Sequence, residues 1–341
     1  MLNKGNRFTS LLVVVLLVGC RPNVPDGLIE VALPDGRAGI GFDDLRFAPT
    51  LGRILAPAGR SGNLDLVDAA TLGVTTVGGF SSGLFYVGGH DEGPTSADEG
   101  DGRYYVTDRS TQLLHVIDPA SGNSLGSAHV ESSPDYARYV PATHEVWITE
   151  PDAEQVEIFS VADRTMPVRV GSVHVGGGPE SLVIDSMRGR AYTHLWGGAT
   201  VAIDVKARSI SAQFSNGCRS SRGIALDEPN GFLFAGCNEG KLFALDVTQG
   251  GRQVGSVESG DGVDVIDFSP SLRHVYLPGA SSATMAVVGV AAGGTLSVLG
   301  TTAIVKEAHC AAADDRGQAY LCDPLNGQLL VYKDPYGRTG P

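Results

Sequence analysis

Residues 232–246, FLFAGCNEGKLFALD, hold an apolar run, a polar break with Gly, and a second apolar run that ends in Asp. Two such runs around a short turn read as a β-hairpin, because β-branched and aromatic residues suit a pleated, buried surface. The chain writes this form seven times, at 54–68, 104–118, 146–160, 191–204, 232–246, 275–289 and 319–333. The copies recur every 42–44 residues, apart from one step of 50. A repeat of that length made of strands predicts an all-β fold. It is a seven-bladed β-propeller with one four-stranded antiparallel blade per repeat.

Working outward from the hairpins, each blade takes an inner strand before its hairpin and an outer strand after it. The blades fall at about 40–78, 81–130, 134–175, 179–214, 221–258, 262–304 and 308–333. The seventh repeat supplies only three strands, while residues 28–33, LIEVAL, form a strand with no local partner. A propeller must close its ring, so 28–33 is expected as the outer strand of blade 7. One domain then spans 28–334, with a tail at 335–341. The long step belongs to blade 2, where residues 88–102, GGHDEGPTSADEGDG, read as an acidic insertion. That composition cannot bury a core, so a solvated surface loop is expected. The alternative is a cation- or partner-binding loop, although the spacing of its acids fails the EF-hand pattern.

The N-terminus is a targeting segment. Lys4 and Arg7 precede an eight-residue apolar core, LLVVVLLV at 11–18, too short to span a bilayer as a helix. Leu17-Val18-Gly19-Cys20 resembles the lipobox of bacterial lipoproteins. The resemblance implies a signal peptide at 1–19, acylation of Cys20, a tether over 20–27, and anchoring through the acyl chains. In that family Asp after the Cys commonly signals inner-membrane retention. Arg21 therefore implies an outer-membrane address.

Formal net charge is −13, and −15 once 1–19, with Lys4 and Arg7 and no acid, is removed. So acidic a body disfavours nucleic acid and anionic lipid. Four Cys remain after Cys20. Their even number in an exported chain suggests disulfides. The repeat places Cys218 with Cys237 in blade 5, and Cys310 with Cys322 on adjacent strands of blade 7, so bridges 218–237 and 310–322 are expected. Without CxxC spacing, zinc and thioredoxin-like chemistry are not indicated.

In a propeller, the loops entering each blade and the hairpin turns share the face where the central channel opens. Aligning the repeats at the start of the inner strands gives Asp43, Asp135, Glu180, Arg222, Asp264 and Ala308, with Glu307 and His309 flanking the last. If these side chains point inward, several carboxylates surround Arg222 and shift one another's pKa values. Asp135, Glu180 and Asp264 are then candidates for holding a divalent cation such as calcium through oxygen. The plain alternative is a water-filled mouth lined by polar residues. Asp108, Glu150, Asp152, Glu239 and Asp323 in the hairpin turns add to an anionic face. His309 is the best-placed acid–base candidate. His115, His174 and His194 read as strand residues, and Trp147 and Trp196 as packing residues.

The turn VGGGP at 175–179, the run SLVIDSMRGRAYTH, and the endings Val116-Ile117-Asp118 and Ala202-Ile203-Asp204 resemble the YVTN-type propeller repeats of bacterial envelope proteins. Asp267-Phe268-Ser269-Pro270-Ser271 is similar to the S-P-D-G turn of that family, although no copy carries its eponymous tetrapeptide. The resemblance covers about 40–333 and implies a seven-bladed propeller. The family includes binding and scaffold proteins as well as lactonases, so function is carried over only by analogy of fold. The readings converge on a lipid-anchored outer-membrane propeller. It binds an envelope protein or a small polar ligand through an acidic channel mouth. One rival is a cation-dependent, lactonase-like hydrolase or lyase using His309 and Glu180. Another is a structural subunit of an envelope complex.

Overall fold

The structure is a computed structural model that describes residues 23–340. The expected signal peptide at 1–19, the expected acylation site Cys20 and Arg21 lie outside the described residues. Seven four-stranded antiparallel sheets are arranged as the blades of a propeller. In the fifth, Phe232–Cys237 pairs with Lys241–Asp246 in the register Phe232↔Asp246, Ala235↔Phe243 and Cys237↔Lys241. The physical reason for its two-sided apolar sequence is visible in the packing. Phe232 and Phe234 pack toward blade 6, with Phe268 and Val275. Leu233, Ala235 and Cys237 pack toward blade 4, with Tyr192 and Ala202. A middle strand buried on both faces loses the usual alternation of apolar and polar residues. Each large apolar side chain so buried contributes about 1.5–3 kcal/mol. The outer strands face solvent and are polar, as in Ser209–Ser215.

The ring closes as expected. Leu28–Ala32 is the outermost strand of blade 7, antiparallel to Gln328–Lys333, with Leu28↔Tyr332 and Ala32↔Gln328 opposed. The tail beyond it does more than end the chain. Asp334 accepts hydrogen bonds from Tyr276 Oη (2.7 Å) and His274 Nδ1 (2.8 Å), and Thr339 N donates to Leu272 O (2.9 Å). The tail thus straps blade 7 onto blade 6.

Blade 2 corrects the expectation of an acidic surface loop at 88–102. Pro94–Gly100, inside that segment, is the inner strand of the blade, paired to Arg103–Asp108. Thr95, Ser96 and Asp98 are buried. Asp98 is tolerated there because its carboxylate accepts from Tyr139 N (2.8 Å) and pairs with Arg46 Nε (2.5 Å). The extra residues are instead those joining Val74–Gly78 to Pro94–Gly100. This loop lies close against blade 1. Gly93 has φ 75, and a Cβ there would strike the carbonyl of Gly59.

The inner strands line a channel that is closed at its waist. Asp44 and Arg138 form a buried bidentate pair (2.5 and 2.8 Å), with the guanidinium 4.8 Å from the centre of the Tyr136 ring. The space left there is about 180 Å³, lined among others by Val265 and Asp267.

Candidate functional site

Above this waist the incoming loops deliver their charged residues to the mouth. Asp135, Glu180, Arg222 and Asp264, four of the aligned positions, line one hollow of about 350 Å³. Asp43 lies behind it, buried. Ala308 is fully buried and adds no polar group. The hollow is also lined by His90 and Asp91, from the 88–102 segment with its alternative reading as a cation- or partner-binding loop, and by two residues not singled out for the mouth, Arg109 from the blade 2 hairpin turn and Trp196.

Arg109 organises one side. Its Nη2 meets both Asp43 Oδ2 (3.1 Å) and Asp135 Oδ1 (2.6 Å), and its Nε donates to Pro134 O (2.8 Å). His90 Nδ1 is 3.0 Å from Asp43 Oδ2. Arg222 pairs with Glu180 on the other side (3.2 Å), and the Trp196 indole N–H donates to the same carboxylate. Trp196 was expected to pack. It is 42% exposed, with the Arg222 guanidinium 5.8 Å from its ring centre. Trp147, in contrast, is fully buried, its Nε1 donating to Glu145 Oε2 (2.9 Å).

The electrostatics follow from this pairing. Burial pushes Asp43 up, but the charges of His90 and Arg109 outweigh it and hold the carboxyl well below the usual range. Asp135 is driven well above its ordinary value by burial and by the charge of Asp43, despite Arg109. Burial takes Glu180 up to about 7 against the pull of Arg222. Asp43 in turn raises His90. The site therefore holds carboxyls that carry protons near neutral pH. Asp264 makes no ion pair within 4 Å among the described residues.

Several expectations change. The proposed oxygen cage of Asp135, Glu180 and Asp264 does not converge. Among the described residues no three carboxylates gather close enough to hold an ion. Guanidinium groups stand where the positive charge would sit. The hairpin-turn acids are mostly not free charge. Asp108 accepts from Ser81 N (2.7 Å), Glu150 from Ser132 N (3.2 Å), and Glu239 from Arg219 N (2.6 Å). Each ties the loop entering its blade to that blade's own hairpin. Asp323 holds Asn326 and Gln328 of the next turn and strand. Only Asp152 is exposed among these turn acids. Glu180 and His309, paired in the rival enzyme reading, line separate hollows that share His90 and Asp264.

The Cys218–Cys237 bridge forms as expected, with Cα atoms 5.3 Å apart. The expected 310–322 bridge does not. Cys310 and Cys322 are buried free thiols. Cys322 Sγ instead accepts the backbone N–H of Cys310 (3.0 Å) and faces His309 Nδ1 (3.8 Å).

No protein-family model matches the chain, and no curated protein matches it. The resemblance to YVTN-type repeats therefore has no family match behind it. Solved structures match over most of the length. A chain of a mitotic checkpoint complex superposes with TM-score 0.71 at 11% identity, covering 95% of this chain and 98% of that one. Hydrazine synthase of Kuenenia stuttgartiensis gives 0.71 at 10%, covering 87% and 96%. The Cps50 (Swd1) β-propeller domain of Myceliophteria thermophila gives 0.71 at 12%, covering 91% and 99%. At these identities the likeness shows the fold alone.

Proposed function

We propose that the chain is a lipid-anchored binding module of the bacterial outer membrane, and that it engages a protein partner at the channel mouth. The observation that carries this reading is an apolar finger beside a charged hollow. Leu84, Phe85 and Val87, in the loop entering blade 2, are 83%, 70% and 84% exposed. The same loop supplies His90 and Asp91 to the hollow. Clustered exposed apolar residues rimmed by polar ones mark surfaces that are covered in use. A partner fitting both would lay an apolar surface over the finger and place a basic side chain beside Trp196, Glu180 and the unpaired Asp264. The Arg109 and Arg222 pairs fix the shape of that pocket. The Cys20 lipobox supports the address.

The test is site-specific photocrosslinking in the intact envelope, with the probe at Trp196 or, on the opposite face, at Met187. A partner adduct is expected from Trp196 and not from Met187. It should be lost in the triple change Leu84→Ser, Phe85→Ser, Val87→Ser, which touches only exposed side chains and should leave the melting temperature unmoved. Equal adducts from both faces would favour a structural subunit held by the blade sides.

A further inference from the structure

Blade 7 gathers a cluster that the mouth hollow does not use. Cys310 immediately precedes the inner strand Ala311–Ala313, and Cys322 lies on Gln318–Asp323, whose Leu321 opposes Ala311. The two cysteines are therefore cross-strand neighbours, and His309 reaches them from the incoming loop. Nδ1 of His309 and the two sulfurs all lie within 4.8 Å of one another. The sulfurs are buried and the imidazole is partly buried.

The surroundings point these atoms inward. His309 Nε2 stands 3.0 Å from Phe42 O, and Nδ1 lies 3.8 Å from Cys322 Sγ, so the ring is held with its Nδ1 edge toward the sulfurs. The Cys310 N–H donates to Cys322 Sγ at 3.0 Å. Glu307 has φ 69, a left-handed backbone, and its carbonyl oxygen stands 2.7 Å from the same Nδ1. With both thiols and Nδ1 deprotonated, one nitrogen and two sulfurs become lone-pair donors facing one point, with the Glu307 carbonyl oxygen beside them. Away from water, such a set is stabilised by a positive centre among them. Cys218 and Cys237 close into a disulfide, whereas Cys310 and Cys322 stay free thiols beside an imidazole.

We propose that His309, Cys310 and Cys322 form a binding site for a thiophilic metal ion of the zinc class. Two thiolates and one imidazole make a zinc donor set with a fourth position still open. Sulfur ligands select against calcium and magnesium, which take oxygen. The adjoining hollow of about 430 Å³, lined by Tyr86, Asp264 and His309, gives the ion a way in from the mouth. The site is independent of the partner-binding reading, because none of its three ligands lines the hollow between Glu180 and Arg109. The competing occupant of the same place is a proton held between His309 and Cys322.

The experiment uses the full-length chain, reduced, stripped with a chelator and titrated with Co²⁺ as a coloured stand-in for Zn²⁺. One equivalent should bind with a thiolate-to-cobalt charge-transfer band, and Zn²⁺ should displace it. Removing a ligand should cost at least the roughly 100-fold that loss of a supporting group can cost. Cys322→Ser and His309→Asn should therefore weaken uptake by that factor or more, while Glu180→Gln leaves it unchanged. Should a variant fail to fold, zinc protection of both thiols from alkylation in the wild type reads the same site. The proposal is overturned by a folded wild type with no band and two unprotected thiols. A band that survives Cys322→Ser, or a Cys310–Cys322 disulfide in protein taken from the envelope, would also overturn it.

Discussion

At the scale of single residues, buried charge in this propeller is kept in matched sets, and mismatching one is what should hurt. Asp44→Ala would leave the Arg138 guanidinium alone in the closed channel. That should cost about 3–5 kcal/mol in urea unfolding, and replacing both partners by apolar residues should recover much of it. Glu180 makes the opposite kind of prediction. It titrates near 4.5 when free and near 7 in the fold, so between those values the folded state holds a proton that the unfolded chain has lost. The contribution of Glu180 to stability therefore falls as pH rises through that window. Glu180→Gln should remove this slope, gaining about 2–3 kcal/mol on the wild type between pH 4 and pH 8 in parallel denaturation curves. No relative gain would mean that the carboxyl is solvated and titrates normally. Asp43, Asp135, Glu180, Arg222 and Asp264 were legible because they recur at one position of the repeat. Arg109 and His90 were not, since one sits in a turn and the other in a loop of non-repeating length. Trp196 was misread because an aromatic at a strand end looks the same covered or bare.

At the scale of strands and hairpins, legibility tracks burial. The middle strands are apolar on both faces, so their pattern is dense and repeats clearly. Inner strands such as Arg46–Ala48 and Asp267–Ser269 are only three residues long, and the seven-residue Pro94–Gly100 is polar enough to look like a loop. Their strand character comes from ladder bonds and buried ion pairs, which leave little trace in composition. Two elements carry direct tests. Deleting 28–33 removes the whole outer strand of blade 7 and should sharply lower the melting temperature. Unchanged melting would mean that the ring does not depend on this seam. Replacing both Cys218 and Cys237 by Ser opens a link across 19 residues of chain and should cost about 3 kcal/mol, or several degrees in a thermal melt.

At the scale of the whole molecule, the ring is a single body whose first and last strands meet in one blade. No blade can leave without baring the apolar faces of its two neighbours, so unfolding should be broadly cooperative. The seam also decides how the protein would bear tension. On the proposed anchoring through Cys20, any pull on the chain arrives at Leu28, the first residue of the closing strand. That strand has one neighbour only, and its first rung is Leu28↔Tyr332. A sideways tug would part the rungs one after another from that end, while the six other blades stay clamped between their neighbours. The seam would then act as the mechanical fuse of the tethered ring, yielding before any of the other blades is strained.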